Sequence, residues 1–452
     1  MSEQPILSIL VPTFNRAHYL KECLDSLLDN TIDCEVLIGD NASEDGTAEL
    51  VGSYQDKRIR YHRHEENIGP AANYNSLIAR ARGKYVCLFG DDDKVLPGNF
   101  EPKLALLETY PDVALVYSRS HLMDGLGTMY ASGNVYGRTS FSYIGGRDEF
   151  QELMINCYIS WQTLVFRRDV LIEVGDLQND LNLSASLDWY WLQLLCRGRT
   201  TAFINKAMVC IRVHQESYTA NQAVPEGEFL TDRLAIWTHW LLEREDPPTL
   251  SNLLWERMAA VLNADLNSIH ADDTTRQQVF STFETLKRSY FERMENLALP
   301  KLIDAYPFQP ECPQWPLEGL KQHSIAYYPD WAGEDWRDVI RFYVESFRAN
   351  EPITLVIIPD ITHDDRIDTA IALIDSELQR IASSDTPDIL IVPEVRSDFD
   401  LACVYAAVDA VLVYGPAKQE NRASQMGKKM VTVLTRQDWM KQTTVKNSAK
   451  PS

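Results

Sequence analysis

Three adjacent carboxylates, Asp91, Asp92 and Asp93, follow Gly90 at the end of the apolar run Tyr85 to Phe89. Neighbouring carboxylates repel one another, and a bound cation offsets that cost. Hard oxygen ligands at a strand end suit Mg2+ or Mn2+ carrying a diphosphate, whose oxygens and waters complete the shell. Which two of the three touch the metal stays open. Alternation along an extended segment favours Asp91 and Asp93. The competing reading is a solvated acidic turn ahead of Pro97. A further acid, Asp188, stands at the start of the Trp- and Leu-rich stretch Leu187 to Cys196. A carboxylate there is either a plain helix cap or a general base.

The elements around these residues alternate. Ile6 to Val11 is an apolar run suited to a strand buried on both faces, and Ala17 to Leu28 repeats apolar residues at helical spacing. Cys34 to Ile38, Ile59 to His62 and Tyr85 to Phe89 read as further strands. Thr47 to Tyr54 and Ala71 to Ala81 read as helices between them. This rhythm predicts an α/β domain with a mostly parallel sheet. Ligands of such sheets sit beyond the carboxyl ends of the strands. The polar clusters Thr13 to Arg16, Asp40 to Ser43 and Asp91 to Asp93 fall at those ends.

The run from Pro12 to Pro97 resembles the nucleotide-sugar-binding half of the family 2 glycosyltransferases, which have the GT-A fold. The pieces are Pro12-Thr13-Phe14-Asn15-Arg16, Asp40-Asn41-Ala42-Ser43-Glu44-Asp45-Gly46-Thr47, Asn67-Ile68-Gly69-Pro70-Ala71-Ala72-Asn73, Ala81-Arg82-Gly83-Lys84-Tyr85, and then the triplet. The resemblance covers residues 5 to 220. It implies nucleoside contacts from Pro12, Thr13 and Asn15, a base N–H bonded by Asp40, and a ligand-approaching turn at Asn67 and Gly69. It implies diphosphate or metal contacts from Asp91, Asp92 and Asp93, and makes Asp188 the catalytic base. The commoner acidic pattern has Asp where Gly90 stands, and Glu-Asp where Leu187-Asp188 stands. Ile211-Arg212-Val213-His214-Gln215-Glu216-Ser217 looks like the arginine-x-histidine segment that closes many such domains. There Arg212 would pair with phosphate, and His214 would reach the metal or the diphosphate. Trp161 would stack on the acceptor sugar, or else sit in the core.

The chain has 452 residues and a net charge of −22. Its 45% apolar content predicts a buried core. The acidic balance argues against a nucleic-acid binder and against electrostatic docking to anionic lipid. No basic, apolar, cleavable leader and no spanning segment is read. The eight cysteines lack a Cys-x-x-Cys pair and read as reduced. A cytoplasmic protein is the expectation, with a peripheral place at the inner face of the membrane as its variant.

Residues 1–225 are thus expected to form the GT-A domain and 226–306 a helical bridge. The span 307–320, with the prolines of Pro307 to Pro316, reads as a linker. Residues 321–440 repeat the α/β rhythm and read as an accessory Rossmann-like domain. Within it, Cys403 to Val433 faintly resembles the C-terminal half of GT-B glycosyltransferases, with Glu420 out of clear register. Residues 441–452 read as a disordered tail. The whole implies an inverting, metal-dependent glycosyltransferase using a UDP-linked or related donor. Its acceptor would be a glycan, a lipid-linked glycan or a protein, in bacterial surface-polysaccharide or glycoconjugate assembly. A homo-oligomer through the helical or C-terminal region is a further expectation. The alternative is a sugar-nucleotide-binding scaffold with weak turnover, acting through its C-terminal half.

Overall fold

The structure is a computed structural model that describes residues 4–132, 142–145, 147–214, 227–297, 302–303, 320–327, 329, 335–358, 366–381, 385–392, 398–412 and 429–431. Pro307 to Pro316, Gln215 to Ser217, Glu420 and the tail after Met440 lie outside the described residues. The described residues fall into two compact units, one within 1–301 and one within 302–452.

In the first unit, strand β1 (Leu7–Thr13) and strand β2 (Cys34–Asp40) are almost wholly buried, as their apolar runs require. Between them lies helix α1 (Ala17–Leu28), which buries Leu20, Cys23, Leu24 and Leu27 on one face. Helix α2 (Thr47–Ser53), strand β3 (Ile59–Arg63), helix α3 (Pro70–Arg80) and strand β4 (Tyr85–Leu88) follow. Pro70 starts α3, where its missing N–H costs nothing. Gly83 lets two backbones meet, since a Cβ there would lie 2.5 Å from the Ser8 nitrogen.

The sheet continues with β5 (Lys94–Val95), β6 (Val113–Met123), β7 (Met129–Ser132), β8 (Tyr143–Ile144), β9 (Val165–Arg167) and β10 (Thr200–Arg212). The main path runs β3-β2-β1-β4-β9-β6-β10-β5. Strands β1 to β4 are mutually parallel, as are β6 and β10. Antiparallel β9 sits between these two groups, bonded to β4 and β6. The sheet is therefore mostly parallel but mixed. Thr163 ends a single tight turn, Trp161–Thr163, just ahead of β9.

Around the sheet lie α4 (Phe100–Thr109), α5 (Glu149–Leu153), α6 (Arg168–Val174) and α7 (Leu187–Cys196). Helices α8 (Glu228–Thr238), α9 (Asn252–Ser268) and α10 (Asp273–Asn296) complete the unit.

The second unit has a five-stranded parallel sheet. Its spatial order is Ile389–Ile391, Ile353–Ile357, His323–Tyr327, Ala410–Leu412, Lys429–Val431. In chain order that is 3-2-1-4-5, the strand order of Rossmann-type sheets. Among the described residues no helix is long and apolar enough to cross a membrane. The seven cysteines among them are free.

Candidate active site

Parallel pairing aligns the ends of β1, β2 and β4, with Thr13 opposite Asp40 and Leu10 opposite Leu88. Beyond these ends lies a cleft of about 330 Å³. Pro12, Thr13, Arg16, Asn67, Tyr74, Asp91 and Asp92 are among its walls. Asn67 is shaped by its neighbours: its Oδ1 accepts from Asn41 Nδ2 at 2.6 Å and from the Gly69 N–H at 2.9 Å. Gly69 has φ +82°, a conformation that glycine takes without strain.

Asp40 and Asn15, both expected at the donor, do not line this cleft. Asp40 is fully buried. Its Oδ1 accepts the Ser43 N–H at 2.8 Å, while its Oδ2 takes the Tyr61 hydroxyl and faces Arg63 Nε at 3.4 Å. Asn15 has φ +53° and reaches sideways. Its Oδ1 accepts the Glu44 N–H at 2.8 Å and its own N–H donates to Ser43 Oγ at 2.9 Å. Asn15 therefore fastens the loop after β1 to the loop after β2, while Asp40 fastens its own loop to β3. Asn41, next to Asp40, is the side chain from this end of β2 that reaches the cleft.

The acidic triplet is a turn, closed by the Asp93 N–H to the Gly90 carbonyl at 3.4 Å. Side chains do not alternate through a turn. Asp91 and Asp92 face the cleft. Asp93 points away, accepting the Arg212 N–H on Oδ1 at 2.9 Å and Gln162 Nε2 on Oδ2 at 2.7 Å. The pair presented to the cleft is thus Asp91 and Asp92, in place of Asp91 and Asp93. The same turn accounts for Gly90. A Cβ there would lie 2.6 Å from Asp93 Oδ2 and 2.9 Å from Asp92 Oδ1, so an aspartate at that position would have to displace both carboxylates.

Arg16 and Arg212 divide the work differently from expectation. Arg212 is buried, and its guanidinium is spent on the Asp92 carbonyl at 2.8 Å, the Asp124 and Gly125 carbonyls at 3.2 Å, and the Glu22 carboxylate. It holds the triplet from behind. Arg16 is the cation in the cleft, with Nη1 3.2 Å from Asp91 Oδ1 and 3.0 Å from Asp92 Oδ2. His214 Nε2 lies 3.0 Å from Asp92 Oδ2.

Burial first, and then the charge of Asp92, push Asp91 and Asp93 above the usual carboxylate range. Among the described residues, no three His, Cys, Asp or Glu side chains stand together as a metal-binding set. Asp91, Asp93 and His214 therefore do not converge as three ligands. A divalent ion carrying a diphosphate asks less, one or two carboxylates. Asp91 and Asp92 fit that need. They already share one cation, and Asp91 Oδ2 is buried with no hydrogen-bond partner of good geometry.

A second cavity, of about 570 Å³, holds Asp188. Asp188 lies in the first turn of α7, and burial raises its carboxyl to about 6 despite the Trp189 N–H that bonds it. The loop ahead of it is clamped by a residue that the sequence reading did not single out. The buried Asp232 of α8 accepts the N–H groups of Ser184 at 3.0 Å, Ala185 at 2.8 Å and Ser186 at 2.8 Å. Trp161 and Gln162 also line this cavity.

The two spaces meet at these residues. The Trp161 ring lies 4.9 Å from the ring of Tyr74, which lines the first cleft. Gln162 lines the second cavity and bonds Asp93 behind the first. The tight turn that carries both is anchored by the buried Lys103, whose Nζ donates to the Thr163 carbonyl at 2.7 Å. Gln162, Asp232 and Lys103 carry no local sequence signal. Their partners lie 69, 46 to 48 and 60 residues away.

Residues 8–175 match the sequence profile described as "Glycosyl transferase family 2". Abequosyltransferase RfbV of Salmonella typhimurium is 36% identical over 113 residues, covering 24% of this chain and 33% of that protein. A Bacillus subtilis protein named for teichuronic acid biosynthesis, the glycosyltransferase TuaG, is 26% identical over 223 residues, 48% of this chain and 83% of that one. The chain thus spans a third of the first relative and most of the second. Among solved structures, S. aureus TarS 1-349 in complex with UDP-GlcNAc matches with a TM-score of 0.47 and 17% identity, over 66% of this chain and 84% of that one. Over residues 8–175, this chain is similar to glycosyl transferase family 2.

Proposed function

We propose that the protein transfers a sugar from a nucleotide diphosphate sugar, UDP-linked in the first instance, to a glycan, lipid-linked or protein acceptor, with inversion at the anomeric carbon. The observation that carries this reading is the meeting of the two spaces. A cleft with paired carboxylates and a cation opens beside a cavity holding a carboxyl of raised pKa, across the Tyr74 and Trp161 rings.

In this reading the nucleoside lies along Pro12, Thr13, Asn41 and Asn67. Asp91 and Asp92 would hold a divalent ion, Mn2+ or Mg2+, which when bound neutralises charge on the diphosphate. Arg16, freed from the carboxylates, turns to a phosphate oxygen. Asp188 accepts the proton of the acceptor hydroxyl as its oxygen bonds to the anomeric carbon. The bond from that carbon to the diphosphate oxygen breaks, and the nucleoside diphosphate leaves. One in-line displacement inverts the centre.

The names of the relatives support a role in bacterial polysaccharide assembly. The test is a thermal-shift panel of UDP, GDP, dTDP and CMP, each with Mn2+, Mg2+ or EDTA. A nucleotide at 100 times its dissociation constant stabilises the fold by about 2.7 kcal/mol. A metal-dependent shift with one nucleotide, lost in Asp92→Ala, supports the reading. No shift with any of them would sink it.

A further inference from the structure

The walls of the second cavity come from two sources. Ser160, the turn residues Trp161 and Gln162, and Asp188 of α7 supply one set of lining groups. Phe229 and Arg233 of α8, with Asp265 and Ser268 of α9, supply the other. Both helices, like Asp188 of α7, lie beyond the matched residues 8–175 and add their side chains to the cavity wall.

The chemistry of this added wall is specific. Arg233 is 3% exposed and its Nε bonds Asp265 Oδ2 at 2.7 Å. Its guanidinium lies 4.8 Å from the Trp189 ring, and its Nη1 bonds the Ile155 carbonyl. The charge of Arg233 is therefore consumed within the wall. Asp188 remains as the surplus charge among these side chains, and it is negative. Among the described residues, an anionic ligand would meet repulsion and no free cation. Trp161 is half-buried and offers a ring edge and face to the C–H surface of a sugar. Ser160, Gln162 and Ser268 supply hydroxyl and amide groups for sugar hydroxyls. At about 570 Å³ the space lies well inside the range of about 300–1,000 Å³ that holds whole small molecules, and has room for more than a single ring.

We propose that α8 and α9 form the acceptor-selecting wall, and that the site takes an uncharged glycan end at least two sugars long. This rests on the transferase reading, and it adds the acceptor class and the residues that choose it. Phe229 and Ser268 are the selecting positions. Phe229 is half-exposed and Ser268 exposed at the cavity, so both can be changed without opening the core.

The test uses the full chain on a printed array of neutral and uronic-acid-bearing glycans, with matching monosaccharides. UDP with Mn2+ is titrated separately on each variant. The expected result is binding of neutral disaccharides or longer chains at least tenfold tighter than of monosaccharides. Ser268→Trp should lose that binding by tenfold or more, and Phe229→Ala should broaden the set bound, with UDP affinity unchanged in both. Binding of anionic glycans above neutral ones overturns the proposal. So does an array signal that Ser268→Trp leaves intact, or no glycan binding at all by a protein that binds UDP. A protein that binds glycans but no nucleotide would sink the transferase reading while leaving the cavity's ligand class standing.

Discussion

The Gln162 side-chain amide reaches Asp93 Oδ2 at 2.7 Å, and this bond fastens the turn Trp161–Thr163 to the back of the acidic triplet. Asp93 is 2% exposed. Removing the donor leaves a buried carboxyl oxygen without its partner, at a cost of about 1–3 kcal/mol. Gln162→Ala should therefore lower the unfolding free energy by that amount in urea titration. It should also weaken UDP–Mn2+ binding measured by calorimetry. Gln162→Glu should behave worse, since it sets a second carboxylate against Asp93.

Asp188 has a carboxyl raised to about 6, above its ordinary value of 3.8. A general base works only when deprotonated. The kcat should therefore rise as pH passes through about 6 and level off above it. The stability consequence has the opposite sign. The folded state holds this proton more tightly than the unfolded chain, so the contribution is present below the ordinary value and fades as pH rises through about 6. Asp188→Asn should reduce turnover by about 10²–10⁴-fold. Its melting temperature should fall less than wild type's between pH 4 and 7.

In the proposed reaction Asp232 acts through Asp188 as a positioning residue. Its carboxylate holds three backbone N–H groups of the loop before α7. Asp232→Asn loosens that loop, and a misplacement on the order of 1 Å costs about 10²-fold in rate. The KM for the donor should stay near wild type. The charge of Asp232 also contributes to raising Asp188. Its removal should move the acid limb of the pH–rate profile to lower pH, which a purely structural role would not do.

Arg16 bridges Asp91 and Asp92. Arg16→Gln leaves these two carboxylates facing one cleft without a cation. Mn2+ affinity measured alone should increase. UDP affinity in the presence of Mn2+ should fall about tenfold, or about 1.4 kcal/mol, as a phosphate partner is lost. Equal loss of both affinities would show that Arg16 only supports the loop.

Much of this architecture was legible in the chain because it is local. The apolar run of β2 and the helix at Leu187–Cys196 follow directly from residue spacing. The antiparallel insertion of β9 did not, since strand direction is set by partners far along the chain. At the site, spacing located the triplet but misjudged its facing, because an extended segment was assumed where Gly90 permits a turn. The family resemblance implies ligand contacts for Asp40 and Arg212. Their hydrogen bonds to Ser43, Tyr61, Glu22 and the Asp92 carbonyl are long-range or loop-made, and no periodicity announces them.

On α8, Asp232 and Arg233 are consecutive residues with different tasks. The first holds the loop ahead of Asp188 and the second lines the cavity beside it, paired with Asp265. A chimera that imported a foreign helix at 228–238 to change the acceptor would therefore exchange both at once. Grafts that keep Asp232 while varying Phe229 and the exposed end of α9 should remain productive. Grafts that shift the helix by a single position should give well-folded but idle proteins, with Asp232 rotated away from the three N–H groups it now holds.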